Sequence, residues 1–114
     1  MAALQGEIWL VDLNPVQGHE QAGRRPALVV SVDKFNQGPA GLAIVVPITG
    51  TDRGQPLHVP IEPPEGGLRK RSFAKPEDVR SVSSRRLSER WGSVSPRTLK
   101  AVVERLRLLT WVAG

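Results

Sequence analysis

The chain has no cysteine and no tyrosine, and its aromatic content is three tryptophans and two phenylalanines. Without cysteine, neither a disulfide framework nor a thiolate metal site can form, and the composition suits a reducing compartment. The rings of Trp9, Phe35, Phe73, Trp91 and Trp111 are too few and too scattered for a broad base-stacking platform. The two histidines, His19 and His58, lie far apart with no helical pairing, which argues against a histidine-based metal centre. No Gly-rich loop leads a lysine into a helix, and no serine occupies a nucleophile elbow, so nucleoside triphosphate binding and serine hydrolase chemistry lack support. No apolar run reaches membrane-spanning length. The opening, Met1 to Glu7, lacks the basic and apolar regions of a signal peptide, so a cytoplasmic protein is expected. At 114 residues, with no internal repeat, linker or low-complexity tract, residues 1–114 are expected to form a single domain with one modest core.

What the chain does have is positive charge, unevenly spread. The net charge is +5. Between Arg69 and Arg90 stand eight basic residues (Arg69, Lys70, Arg71, Lys75, Arg80, Arg85, Arg86, Arg90) against three acidic ones (Glu77, Asp78, Glu89), a local balance equal to that of the whole chain. Such a stripe favours a polyanion through counterion release, or else serves as a solubilising surface.

Hydrophobic patterning gives about six short strands and one helix. Gly6 to Leu13 carries apolar residues on both faces, as in a strand covered on both sides, and Asn14-Pro15 stops it. Pro26 to Val32 is the second strand. Asp33 to Ala40 is a turn or irregular link, and Gly41 to Ile48 is an apolar, hence central, third strand. Leu57 to Ile61 is a short fourth strand whose flanking prolines place it at an edge. Ser72 to Val82 reads as a fifth strand interrupted by Pro76, Ser84 to Leu87 as one turn of helix, and Arg90 to Val94 as a sixth strand. Ser95 is a good N-cap and Pro96 suits the first helical position; Leu99, Val102, Val103 and Leu106 then recur at helical spacing. A small, strongly bent antiparallel sheet or barrel with a C-terminal amphipathic helix is the expected architecture.

The chemistry-bearing stretch is Gly18 to Val30. Its loop supplies an imidazole (His19), a carboxylate (Glu20) and two guanidinium groups (Arg24, Arg25), then runs into an apolar strand. Pro26 fixes its own φ and biases Arg25 toward extended backbone, so Arg25 should sit stiffly at a strand mouth. Read blandly, this is a polar loop before a core strand. Read for chemistry, general acids, general bases and cations suffice for one reaction without metal or cofactor: cleavage of RNA by its own 2′-hydroxyl. That reaction needs a base, cations or donors for a pentavalent phosphorus, and an acid for the departing 5′-oxygen. His19, Glu20, Arg24, Arg25, Thr49, Lys75, Glu77 and Asp78 can fill those roles if the fold gathers them. His58 has no motif around it and is expected at the surface of a strand.

Three motifs carry a resemblance. Gly6-Glu7-Ile8-Trp9-Leu10-Val11-Asp12-Leu13-Asn14-Pro15, followed by Gly18-His19-Glu20-Gln21 and Gly23-Arg24-Arg25-Pro26, resembles the opening of the MazF/PemK/Kid toxins of bacterial toxin–antitoxin systems. Val45-Val46-Pro47-Ile48-Thr49 is similar to the family's third-strand motif, and Phe73 to Val82 to its active-site strand. Arg86-Leu87 and the terminal helix also fit.

The resemblance implies an SH3-like β-barrel and a homodimer. It also implies metal-independent, sequence-specific cleavage of single-stranded RNA to 2′,3′-cyclic phosphate and 5′-hydroxyl ends, and inhibition by a MazE-like antitoxin with an acidic C-terminal segment. Carried over residue by residue, it implies a scissile-phosphate role for His19, Arg25 and Thr49. In the Kid-like branch an arginine acid and an aspartate base stand where this chain has Lys75 and Glu77, and Asp78 replaces a common glutamine. Lys75 loses the bidentate fork that matches a phosphate, and Glu77 reaches one methylene further. The alternative assignment makes Arg25 and Thr49 the main pair. Glu20, Arg24, Asp78, Arg80, Arg53, Arg69 and Arg71 are the expected RNA-binding residues. A second reading is a non-catalytic RNA-binding or protein-targeted, gyrase-poison-like member of the same fold. The terminal helix and Trp111 are candidate dimer contacts or intrachain core.

Overall fold

A computed structural model describes residues 2–14, 18 and 23–113. Among them are seven strands: β1 (Glu7–Asp12), β2 (Arg24–Val29), β3 (Leu42–Thr49), β4 (Val59–Ile61), β5 (Ser72–Ala74), β6 (Arg80–Ser83) and β7 (Leu87–Ser93). A single helical turn, α1 (Asp33–Asn36), links β2 to β3, and α2 (Pro96–Leu109) closes the chain. The order across the sheet is β4-β5-β3-β2-β1-β7, with β6 also on β3 and every pairing antiparallel. The apolar third strand is central, as expected, and the proline-flanked fourth is an edge. Among the described residues no helix is long and apolar enough to cross a membrane.

The sequence reading is corrected over residues 72–94. The expected fifth strand is two strands, because Pro76 cannot donate to a ladder and starts a 3-10 turn, Pro76–Asp78, between β5 and β6. The residue turn at 84 is also 3-10, Ser84–Arg86, and the last strand starts at Leu87 rather than Arg90. His58 is not a surface residue: it is 6% exposed.

β3 changes neighbour part-way along one edge. Leu42 to Val45 pair with β6, whereas Ile48 and Thr49 pair with β5. This switch bends the sheet into a barrel and gives it two apolar faces. One face gathers Ile8, Leu28, Val46, Ile48, Ile61 and Ala74 under Val102 of α2. The other gathers Val11, Leu13, Ala27, Val29, Val45 and Val82.

Two carboxylates pin the periphery. Glu65 accepts the backbone N–H of Ser95 at 2.9 Å, and the Ser95 hydroxyl accepts the N–H of Thr98 at 3.2 Å, so the start of α2 is capped twice. Glu7 accepts from the Leu4 N–H (2.7 Å), the Trp9 indole (3.0 Å) and Arg90 Nε (2.6 Å). Burial alone would raise both carboxyl pKa values. At Glu7 the Leu4, Trp9 and Arg90 donors outweigh it, and at Glu65 the Thr98 and Ser95 donors do, so both end below the ordinary value of 4.5. Each carboxylate therefore binds fewer protons folded than unfolded. Its stabilisation is complete above pH 4.5 and is lost as pH falls through the lower folded value. Urea midpoints are expected to fall between pH 5 and pH 3 (roughly the window set by that linkage). A Glu7→Gln/Glu65→Gln variant should show a flatter profile over that range. An unchanged slope would exclude these two groups as its source.

Candidate active site

The strand ends carry the chemistry. The β2–β3 pairing runs from Val29 opposite Val45 to Ala27 opposite Pro47, so Arg25 and Thr49 each lie two residues beyond its last pair. Thr49 in turn lies opposite Phe73 on β5, and Val11 on β1 lies opposite Arg25. Side chains alternate along a strand, so Arg25 is set on the side of Ala27 and Thr49 on that of Val45, toward the strand ends. Thr49 is buried and its Oγ1 accepts the N–H of Thr51 at 3.2 Å, which orients the hydroxyl. Arg25 is exposed and lines the rim of a cleft of about 270 Å³ together with Ile48, Gly50 and Lys70. A Cβ on Gly50 would lie 2.7 Å from Lys70 Nζ, so only glycine there lets the ammonium lie against the end of β3.

An ionic cluster follows directly after β5. Lys75 donates its N–H to Pro47 O at 2.9 Å, and Lys75 Nζ lies 2.9 Å from Asp78 Oδ2, with the two side chains 8% and 13% exposed. His58 Nε2 donates to Glu77 Oε2 at 2.6 Å, and the His58 ring is nearly inaccessible. With Nε2 committed to a carboxylate, His58 Nδ1 is left buried without a partner. The 3-10 turn produces this arrangement by folding Glu77 and Asp78 back over the strand rather than extending them along it.

Residues 4–110 match the family described as PemK-like, MazF-like toxin of type II toxin-antitoxin system. The chain belongs to the PemK/MazF toxin family. It is 37% identical over 109 residues to endoribonuclease MazF9 of Mycobacterium tuberculosis, covering 91% of this chain and 92% of that protein. Among solved structures it is similar to MazF of Deinococcus radiodurans, with a TM-score of 0.88, 29% identity and coverage of 98% and 99% of the two chains. A MazE–MazF structure from the same organism shares the fold at a TM-score of 0.79 and 24% identity, covering 99% of each chain.

With the PemK/MazF fold in place, the described site residues can be located. Arg25 lines the cleft, and Thr49 stands in sequence between its lining residues Ile48 and Gly50. Lys75, Glu77 and Asp78 come together, but as partners of one another and of His58. Among the RNA-binding expectations, Arg24 and Arg53 are exposed. Arg69 lines the same cleft as Arg25. Arg80 is not presented to solvent as a free cation, since its Nη1 donates to Leu13 O at 2.9 Å and closes β6 onto the end of β1. Arg71 lies 2.6 Å from Glu62, 3.9 Å from Asp52 and 4.9 Å from the centroid of the Phe73 ring. His19 and Glu20 lie outside the described residues. Sequence reasoning passed over Lys70, although it stands inside the basic stripe, and took His58 for a surface residue. His58 stands immediately before β4, whose first residue Val59 lies opposite Ala74, the last residue of β5.

Among the described residues no three His, Cys, Asp or Glu side chains gather to hold a metal ion. The described residues of the site supply cations around an open rim, with the Thr49 hydroxyl beside them. That donor set suits a phosphodiester.

Proposed function

We propose that this PemK/MazF-family chain is the toxin of a type II toxin–antitoxin system and acts as an endoribonuclease on single-stranded RNA. The observation that carries the reading is the cleft that Arg25 shares with Arg69 and Lys70, at the end of β3 where Thr49 stands between the lining residues Ile48 and Gly50. In the reaction the 2′-oxygen attacks the adjacent phosphorus and the bond to O5′ breaks, leaving a 2′,3′-cyclic phosphate and a 5′-hydroxyl. The Arg25 guanidinium neutralises charge that develops on the non-bridging oxygens, and the Thr49 hydroxyl donates to one of them. His19, which falls between β1 and β2 in sequence, is assigned proton transfer, since an imidazole can serve as general acid and general base. Glu20, Arg24, Arg53 and Arg69 hold the flanking strand. Lys75, Glu77 and Asp78 act as positioning residues: their ion pairs fix the turn that locks β5 against the Thr49 end of β3.

The expected partners follow from the same surface. An antitoxin with an acidic C-terminal segment would compete for the basic cleft, and raised salt should weaken both complexes together. Leu108, Leu109, Trp111 and Val112 are exposed at the end of α2 and suit the homodimer contact. The expected compartment is the cytoplasm.

The test uses purified protein, a long mixed single-stranded RNA and excess EDTA. Cleavage to 5′-hydroxyl ends in EDTA, with no cutting of the 2′-deoxy substrate, is expected. Loss of cleavage in EDTA, or equal cutting of the deoxy strand, would rule out the mechanism.

A further inference from the structure

The cleft beside Arg25 has a wall that the cleavage chemistry does not use. In the β1–β7 pairing Ile8 faces Gly92 and Trp9 faces Arg90, so Trp91 is the extra residue of a β-bulge. A bulge re-aims one side chain, and here it turns Trp91 onto the core face, where it is partly buried against the apolar cluster. Its place is fixed from behind. A Cβ on Gly67 would come within 2.2 Å of the Trp91 carbonyl oxygen, and one on Gly92 within 2.7 Å of Gly66, so three glycines let the 65–67 turn lie flat on this bulge. Trp91 lines the 270 Å³ cleft together with Pro26, Ile48 and Lys70, and a neighbouring cleft of about 440 Å³ together with Arg90; Arg69 borders both. Trp91 therefore borders two open recesses, one with Arg25, Arg69 and Lys70 in its lining and the other with Arg69, Arg90 and Glu89.

We propose that this slot binds one nucleotide of the RNA next to the scissile phosphate, with its base against Trp91 and its phosphate at Arg69 and Lys70. The inference rests on the endoribonuclease reading and assigns that site a base-holding wall. An aromatic face beside apolar walls suits a nucleobase, and the excess of cations at the rim suits the phosphate attached to it. Held this way, the strand is gripped on one side of the bond that breaks, with Arg25 on the rim of the same cleft. Since any base offers a π-face, the slot contributes affinity and register rather than base choice.

The test uses a short single-stranded RNA with a 2′-deoxy nucleotide at the cleavage position, so that binding is read without turnover. A series of such strands each carries one abasic residue. With wild-type protein, an abasic residue at one position flanking the cleavage site is expected to weaken binding about tenfold, within the range for loss of one base–aromatic stack. In Trp91→Leu, which keeps apolar packing on the core, that penalty should vanish while penalties elsewhere persist. Lys70→Gln, on the exposed rim, should lower the slope of log affinity against log salt by about one and leave the abasic profile unchanged; this variant keeps the proposal testable if Trp91→Leu fails to fold. An abasic profile identical in wild type and Trp91→Leu overturns the proposal, as does an unchanged salt slope in Lys70→Gln. So does a Trp91→Leu protein that loses only its self-association, which would make the slot an interface between copies. Absence of cleavage by wild-type protein on all-ribose RNA would instead overturn the underlying nuclease reading.

Discussion

Arg25→Ala is expected to lower kcat/KM on single-stranded RNA by about a hundred- to a thousandfold, the usual cost of removing one donor that meets developing charge. The loss should lie mainly in kcat, because the guanidinium interacts more strongly with the pentavalent phosphorus than with the ground-state diester. Arg25→Lys keeps the charge without the planar fork, so it should recover only part of the rate. Stability should change little, since Arg25 is exposed at the start of β2 and the neighbouring register is held by Ala27 to Val29. Steady-state cleavage of a labelled oligonucleotide, with urea unfolding of the same preparations, separates the two effects. A variant that cuts at the wild-type rate would remove Arg25 from the mechanism and leave the Thr49 end of β3 without its cation.

The opposite pattern is expected at Lys75. Lys75→Met strands the Asp78 carboxylate, which is almost as buried as the ammonium it faces. Removing one partner of a buried ion pair typically costs about 3–5 kcal/mol, because the remaining charge keeps its desolvation penalty. For a domain of this size that corresponds to a fall in Tm of very roughly 10–20 °C. The double variant Lys75→Met/Asp78→Leu removes both charges and should regain most of the loss. Per folded molecule, RNA cleavage by either variant should stay within a fewfold of wild type. If Lys75→Met stays as stable as wild type yet loses cleavage a hundredfold, Lys75 belongs at the phosphate and the positioning role is wrong.

How far the sequence carried the reading can be judged at particular residues. β1 to β4 and α2 were legible because their apolar residues recur at the strand and helix periods and Pro and Gly punctuate them. Arg25 was legible because Pro26 fixes the backbone beside it. The cleft it shares with Arg69 and Lys70 was not, since strand pairing decides which distant segments meet. Residues 72–82 read as one strand because the β-favouring Phe73, Val79 and Val82 flank a 3-10 turn of only three residues. That misreading mattered: extended backbone would aim Lys75 and Glu77 along a strand face, while the turn couples them to Asp78 and His58 instead. Trp91 was invisible as a site residue because a bulge changes which face a side chain takes without leaving a sequence mark.

The change of neighbour along β3 has a consequence for how the molecule opens. β4 is hydrogen-bonded to β5 alone, and β5 reaches the rest of the sheet through only two residues of β3. β1, β2, β3 and β6 form the more extensively paired part. Amide protons of the β4–β5 hairpin should therefore exchange through a local excursion of lower free energy than those of Val45 and Val46, which wait for global unfolding. Thr49 is paired to that hairpin and Arg25 belongs to the slower-exchanging part. In mild denaturant the two halves of the reactive pair should part company first, with cleavage fading before far-ultraviolet circular dichroism registers any loss of structure.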